Sequence, residues 1–102
     1  MPTAISQSIK ITSASTLTAV GSAMSADSKI NIYIVNQTAS NGNFRLAVHT
    51  TTPTGGEYLY YDFPLASKGT FIAADVYVKN LDIVYVSCPV DWSARVDGAT
   101  LA

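Results

Sequence analysis

Apolar and polar residues alternate with a period of two along most of the chain after Lys29. Successive side chains of an extended strand point to opposite faces of a sheet, so this alternation is typical of strands with one buried face. Clusters of Gly, Pro, Asn and Ser interrupt the pattern at intervals of roughly 8 to 12 residues, the spacing found in β-sandwiches and small barrels. We therefore predict an all-β fold, a single antiparallel β-sandwich over residues 1–102, with about eight strands in a jelly-roll or immunoglobulin-like topology.

The best-defined strands lie in the middle of the chain. Residues 29–37 carry isoleucine at every second position, and we expect that face to be buried in the core. A second strand over residues 44–49 repeats the pattern with Phe, Leu and Val. Between the two strands lies Asn41-Gly42, a pair that suits a tight turn because both residues tolerate positive φ. We predict that these two strands form a β-hairpin.

Three features can be predicted for the second half of the chain. A strand that begins at Tyr58 is expected to end at Pro64, which has no N–H to donate to a neighbouring strand. The alternation slips near 73–75, which indicates a β-bulge. The last strand covers 91–97, and Gly98 begins the closing tail. We expect the strand before Pro64 to have two different faces, one with Leu59, Tyr61 and Phe63 and the other with Tyr58 and Tyr60.

The low charge of the chain limits its possible partners. Only 13% of the residues are charged, whereas an average soluble domain has about 25%. A surface of small polar residues and tyrosines is poorly protected against association, so we expect partners to cover much of it. Six cations spread singly along a chain of net charge −1 form no basic stripe, so we expect no nucleic-acid partner. No apolar run approaches the roughly 20 residues that cross a bilayer, and the first residues do not resemble a signal peptide, so we expect no membrane partner.

Residues that could perform chemistry are scarce. His49 has no nucleophile or carboxylate in a recognisable catalytic pattern, and we expect it to be a solvated surface residue. Cys88 cannot form an internal disulfide because it is the single cysteine, and we expect it to pack as an inert thiol compatible with a reducing cytoplasm. The carboxylates lack the spacing of a calcium loop. We therefore predict no catalytic, cofactor-binding or metal-binding residues and no enzymatic activity.

The six tyrosines are the residues most suited to binding. A tyrosine ring offers a rigid stacking face and a hydroxyl group, so a cluster can bind carbohydrate or form a protein interface. So many tyrosines on one small domain favour an interface over a ligand pocket. The interface candidates are Tyr33, Val35, Tyr58, Tyr60 and Tyr77. A carbohydrate-binding module that recognises a host surface is the alternative from another functional class.

Three segments resemble small β-sandwich structural proteins of tailed-bacteriophage virions. They are IYIVNQTASNGNFRLAV, YLYYDFPLASKGTFIA and NLDIVYVSC. The positions that match the family pattern are 32–38, 44–48, 58–65 and 82–87, and the resemblance spans about two thirds of the chain. These are strand and turn residues, so the resemblance carries no catalytic residues.

The resemblance implies an accessory structural protein that decorates or cements the capsid through protein–protein contacts. Its implied partners are other virion proteins, either the major capsid protein or tail proteins, and further copies of the chain in a homo-oligomer. Its implied location is the virion, assembled in the host cytoplasm. A tail, neck or baseplate component that anchors fibres is the alternative within the same class.

Overall fold

A computed structural model describes residues 2–13 and 16–101. The domain predicted over 1–102 also includes Met1, Ala14, Ser15 and Ala102, which lie outside the described residues. The described residues form strands and no helix. The strands are β1 (Ala4–Lys10), β2 (Thr18–Ala19), β3 (Ser28–Val35), β4 (Gly42–His49), β5 (Tyr58–Leu65), β6 (Thr70–Val78), β7 (Ile83–Ser87) and β8 (Ser93–Thr100).

The strands form two four-stranded antiparallel sheets, which confirms the predicted β-sandwich. The front sheet has the order β1-β8-β3-β6, and the back sheet has the order β2-β7-β4-β5. One long antiparallel hairpin pairs β1 with β8, β2 with β7, β3 with β6 and β4 with β5. The further pairs of β8 with β3 and of β7 with β4 fold this hairpin into two layers. This connectivity is that of a jelly roll, so the structure selects it over the immunoglobulin-like alternative.

The core lies between the inner faces of the two sheets. Ile30, Ile32 and Ile34 of β3 are at most 1% exposed, as their alternation predicted. Burial of each such side chain contributes about 1.5 to 3 kcal/mol to folding. The other large side chains that are fully buried with them are Ile11, Val20, Phe44, Leu46, Val78, Val84, Val86, Trp92 and Val96.

The predicted hairpin of β3 and β4 is wrong, because the two strands belong to different sheets. Both strands have an apolar face, and these faces meet across the core instead of lying side by side in one sheet. Neither Asn41 nor Gly42 adopts positive φ, so the pair forms no primed turn. Gly42 instead makes room for Trp92, since a Cβ atom at this glycine would lie 2.8 Å from the indole ring.

Asn36 holds the corner where the chain passes from the front sheet to the back sheet. Its side chain is completely buried. The amide Nδ2 donates to the carbonyl oxygens of Ser40 at 2.8 Å, Ala66 at 3.1 Å and Leu65 at 3.3 Å. The Oδ1 atom accepts hydrogen bonds from the backbone N–H and the hydroxyl of Thr38, at 3.0 and 2.6 Å. One side chain therefore joins the β3–β4 corner to the β5–β6 turn.

The edge strands β5 and β6 are both bulged. The predicted bulge near 73–75 is confirmed, since the register of β6 against β3 shifts there and Asp75 has φ 56°. In β5 the register against β4 shifts twice, and Asp62 has φ 51°. The strand continues through Pro64 to Leu65, so the predicted end at Pro64 is wrong. Proline is tolerated there because β5 is an edge strand, where one side of the backbone has no partner strand.

The C-terminal strand is longer than the alternation suggested. The prediction of a tail from Gly98 onward is wrong, because β8 continues to Thr100 between β1 and β3. Gly98 has φ 148°, and a Cβ atom there would collide with the carbonyl oxygen of Lys29. Glycine at this position therefore permits close approach of β8 to β3.

Candidate functional site

The outer face of the front sheet presents a grid of side chains set by strand register. Tyr33 on β3 lies opposite Arg95 on β8 and opposite Ile72 on β6, and Arg95 lies opposite Ser8 on β1. The neighbouring row contains Lys10, Ser93, Val35 and Thr70. The sandwich thus places one aromatic ring beside a cation and small hydroxyl groups on a single face.

An open concavity of about 730 Å³ occupies part of this face. Volumes of roughly 300 to 1,000 Å³ are typical of sites that bind small ligands. Both Tyr33 and Val35, two of the predicted interface residues, contribute to it as half-buried side chains. The complete lining consists of Ser8, Ile9, Lys10, Tyr33, Val35, Thr70, Ser93, Ala94, Arg95 and Asp97.

Positive charge predominates among the charged groups of the concavity. Lys10 and Arg95 carry positive charge, and Asp97 is the single carboxylate in the lining. The Arg95 Nε atom lies 3.7 Å from Asp97 Oδ2, too far for a good hydrogen bond. Asp97 Oδ1 instead accepts from Asn31 Nδ2 at 3.1 Å. Most donors of the Arg95 guanidinium therefore face solvent, because its side chain is 58% exposed.

The outer face of the back sheet carries a second aromatic and charged cluster. Arg45 on β4 donates to both carboxylate oxygens of Asp62, at 2.8 and 3.3 Å. Its guanidinium carbon lies 3.9 Å from the ring centre of Tyr61, and that ring packs edge-on against Tyr58 at 5.2 Å. The hydrogen bond to Arg45 lowers the pKa of the Asp62 carboxyl, and it raises the pKa of Arg45. Both groups contact water, so salt weakens their attraction.

A third aromatic cluster fills the seam between the edge strands β5 and β6. Tyr60, a predicted interface residue, packs here against Phe44 and Phe71, with ring centres 6.2 and 4.7 Å away. Phe63 lies on the same side, 5.2 Å from Tyr60, and is 41% exposed. The predicted division of β5 into two faces is therefore wrong, since the bulges pair Tyr60 with Phe63 and Tyr58 with Tyr61. A sequence pattern that assumes strict alternation cannot reveal such a shift.

The five predicted interface residues do not form one patch. Tyr33, Val35 and Tyr77 share the outer face of the front sheet, with Tyr77 69% exposed opposite Lys29. Tyr58 lies on the outer face of the back sheet, and Tyr60 lies in the seam. Sequence reasoning missed the charged partners Lys10, Arg45, Asp62 and Arg95. No local signal marks them, because residues far apart in the chain are brought together by strand pairing.

The residues with the greatest chemical reactivity are Cys88 and His49. Cys88 is 1% exposed, and burial raises the pKa of its thiol to about 12. The thiol is therefore protonated at neutral pH. His49 is half-buried at the end of β4. Within residues 2–13 and 16–101, no three or more His, Cys, Asp or Glu side chains are grouped so that they could hold a metal ion.

The same described ranges contain no helix of the length and apolarity needed to span a membrane. Comparison of the chain with protein-family models, with curated proteins and with solved structures finds no match. The sheet faces and the seam are thus the features from which a function can be argued.

Proposed function

We propose that the protein is an accessory structural protein of a tailed-bacteriophage virion, which decorates or cements the capsid through protein–protein contacts. The observation that carries the proposal is a concentration of exposed apolar side chains on the edge strands β5 and β6. Among residues 2–13 and 16–101, five of the eight large hydrophobic residues that are exposed lie on β5 and β6. They are Leu59, Tyr61, Phe63, Ile72 and Tyr77.

Such residues are costly to leave in water, and clusters of them mark interaction surfaces. Aromatic side chains in particular are enriched at protein interfaces. A specific interface removes about 800 Å² from each partner, an area comparable to one face of a small domain. The jelly-roll connectivity agrees with this use, since the fold occurs in viral capsid proteins, although a fold alone does not determine function.

The edge strands also carry features that oppose unlimited growth of a sheet. An exposed edge strand can pair with a strand of another molecule and seed aggregation. Here Asp62 and Asp75 sit at bulges with positive φ, and Pro64 removes a donor from β5. Bulges, charges and proline are common means of blocking such pairing. The expected contacts are therefore made by side chains, which suits a defined assembly.

The proposal can be tested on purified virions. Mass spectrometry should find the protein at a copy number comparable to that of the capsid subunits. A much smaller number, matching one closed ring, would instead favour the tail, neck or baseplate. Absence of the protein from the particles would reject both locations.

Binding of the purified protein to particles that lack it tests which surface is used. We expect Ile72→Asp and Tyr77→Asp to abolish binding, because a charge would be buried without a partner. Val90→Asp is the matched control, since Val90 is also an exposed apolar residue, at 41%, but lies outside β5 and β6. All three variants should keep the melting temperature of the parent. Equal binding by all three would contradict the assignment of this surface.

A further inference from the structure

We propose that the concavity on the front sheet binds an acidic saccharide, a chain of sugar rings that carry carboxylate groups. The site combines the Tyr33 ring with two cations, Lys10 and Arg95, and with hydroxyl groups at its border. This binding activity goes beyond the contacts proposed for β5 and β6, and it adjoins them, since Thr70 of β6 lines the concavity and Ile72 of β6 lies opposite Tyr33.

The position of Tyr33 suits stacking against a sugar ring. Tyr33 is half-buried in the middle of the sheet, between Arg95 on β8 and Ile72 on β6. Because the side chain is half-buried and flanked by a strand on each side, we expect its ring to lose less conformational entropy on binding than a fully exposed tyrosine would. The C–H face of a pyranose packs against an aromatic ring, while its hydroxyl groups at the periphery remain free to form hydrogen bonds.

Strand register then places a cation where a ring substituent would lie. Adjacent strands are about 4.8 Å apart, so a group on the edge of a sugar stacked over Tyr33 reaches the strand that carries Arg95. A guanidinium group binds a carboxylate through two parallel hydrogen bonds. The side chain of Arg95 is available for this contact, because its distance of 3.7 Å to Asp97 leaves its donors without a short carboxylate bond.

Lys10 and the hydroxyl groups extend the same site. Lys10 lies opposite Ser93, one row from Arg95, and Thr70 lies across the concavity. With two cations and one carboxylate, the lining carries net positive charge in a protein of net charge −1. Charge complementarity thus favours an anionic ligand over a neutral one. The hydroxyl groups at the border supply donors and acceptors for the remaining sugar oxygens.

The test is calorimetric titration of the full chain with two carboxylated probes, tetragalacturonate and an oligosialic acid. We expect at least one probe to bind, with affinity that falls as salt is added. Methyl-esterified tetragalacturonate keeps the shape of the acid but loses its charge. If tetragalacturonate binds, its methyl ester should bind at least about tenfold more weakly. Binding of neither acidic probe, or equal binding of the ester and the acid, would overturn the proposal.

Variants then locate the site. Tyr33→Ala and Arg95→Gln should each weaken binding at least about tenfold. Tyr77→Ala and Lys29→Ala are the controls, because they remove a tyrosine and a cation from the same face outside the concavity. Unchanged melting temperatures would show that all four variants fold.

Analytical sedimentation of the free protein distinguishes saccharide binding from the alternative that a second copy of the chain covers this face. If the protein dimerises and Tyr33→Ala dissociates the dimer, the face is an interface between copies of the chain, and the saccharide proposal is rejected. A monomer that binds an acidic probe supports it.

Discussion

Replacement of Asn36 by alanine should destabilise the fold, because its buried amide joins two connections of the chain. The side chain is completely buried and satisfies backbone groups of two different connections. Nδ2 has two hydrogens, so two of its three carbonyl contacts count as full hydrogen bonds. Two more are accepted by Oδ1 from Thr38. Asn36→Ala therefore removes four hydrogen bonds.

The expected loss follows from these contacts. Each hydrogen bond contributes about 1 kcal/mol net, and a buried group left without a partner costs about 1 to 3 kcal/mol. Water can reach part of the corner, since Ser40 is exposed and Thr38 is half-buried, which reduces the sum. We expect Asn36→Ala to lower the free energy of unfolding by about 2 to 4 kcal/mol. For a domain of this size the melting temperature should fall by roughly 10 °C or more.

Urea unfolding followed by circular dichroism measures the change directly. Asn41→Ala is the matched control, because Asn41 is exposed in the same connection and its Oδ1 accepts one hydrogen bond, from Ser67 N at 3.0 Å. That variant should lose about 1 kcal/mol or less. If Asn36→Ala unfolds at the same urea concentration as Asn41→Ala, the reasoning about this corner is refuted.

Asn36→Asp separates hydrogen bonding from cavity formation. The carboxylate keeps the acceptor atom but presents negative charge to three carbonyl oxygens. Burial and these oxygens should raise the pKa of the new carboxyl in the folded state. The variant should therefore be least stable at neutral pH and should recover stability as the pH falls and the carboxyl is protonated. A pH-independent loss of stability would indicate that only the packing had changed.

Three further predictions test the core, the close approach of β8 and the thiol. Ile32→Asp places a charge at a site with 0% exposure and should cost about 4 kcal/mol or more, so a urea midpoint equal to that of the parent would contradict the facing of β3. Gly98→Ala would bring Cβ within 2.8 Å of Ile30 Cα and should lower the free energy of unfolding in urea by about 2 kcal/mol or more. Gly56→Ala is the control and should leave it nearly unchanged, because no atom lies within 4 Å of a Cβ at that position. The Cys88 thiol, whose pKa is raised to about 12, should react with a thiol reagent only at the rate of unfolding, and rapid labelling of the native protein at neutral pH would contradict its burial. Because the folded protein holds this thiol neutral, the free energy of unfolding should decrease as the pH rises from about 9 toward 12.

Sequence alternation was sufficient to predict which side chains of the central strands face the core. The isoleucines of β3 are buried as expected, and the slip near 73–75 is a bulge. These features are local, because the direction of a side chain in a strand depends on its own position along that strand. The same pattern failed in β5, where bulges at two places shifted the faces.

Pairing of the strands could not be predicted in the same way. At the corner formed by Asn36 the chain crosses from one sheet to the other. Strand β4 therefore does not pair with β3, whose neighbours are β6 and β8. Two amphipathic strands that are consecutive in the chain satisfy the same pattern whether they pair side by side or face each other across a core. The choice depends on contacts between distant segments, such as the hydrogen bonds from Asn36 to Leu65 and Ala66.

The sequence by itself determined that this chain is an all-β domain with low charge, a single cysteine, a single histidine and abundant tyrosines. Tertiary structure decided the jelly-roll connectivity and the positions of the proposed binding surfaces. Lys10 and Arg95 stand near Tyr33 only because β1, β8 and β3 are adjacent in the front sheet. Side-chain alternation is encoded residue by residue, whereas a surface assembled from three strands exists only after those strands have paired.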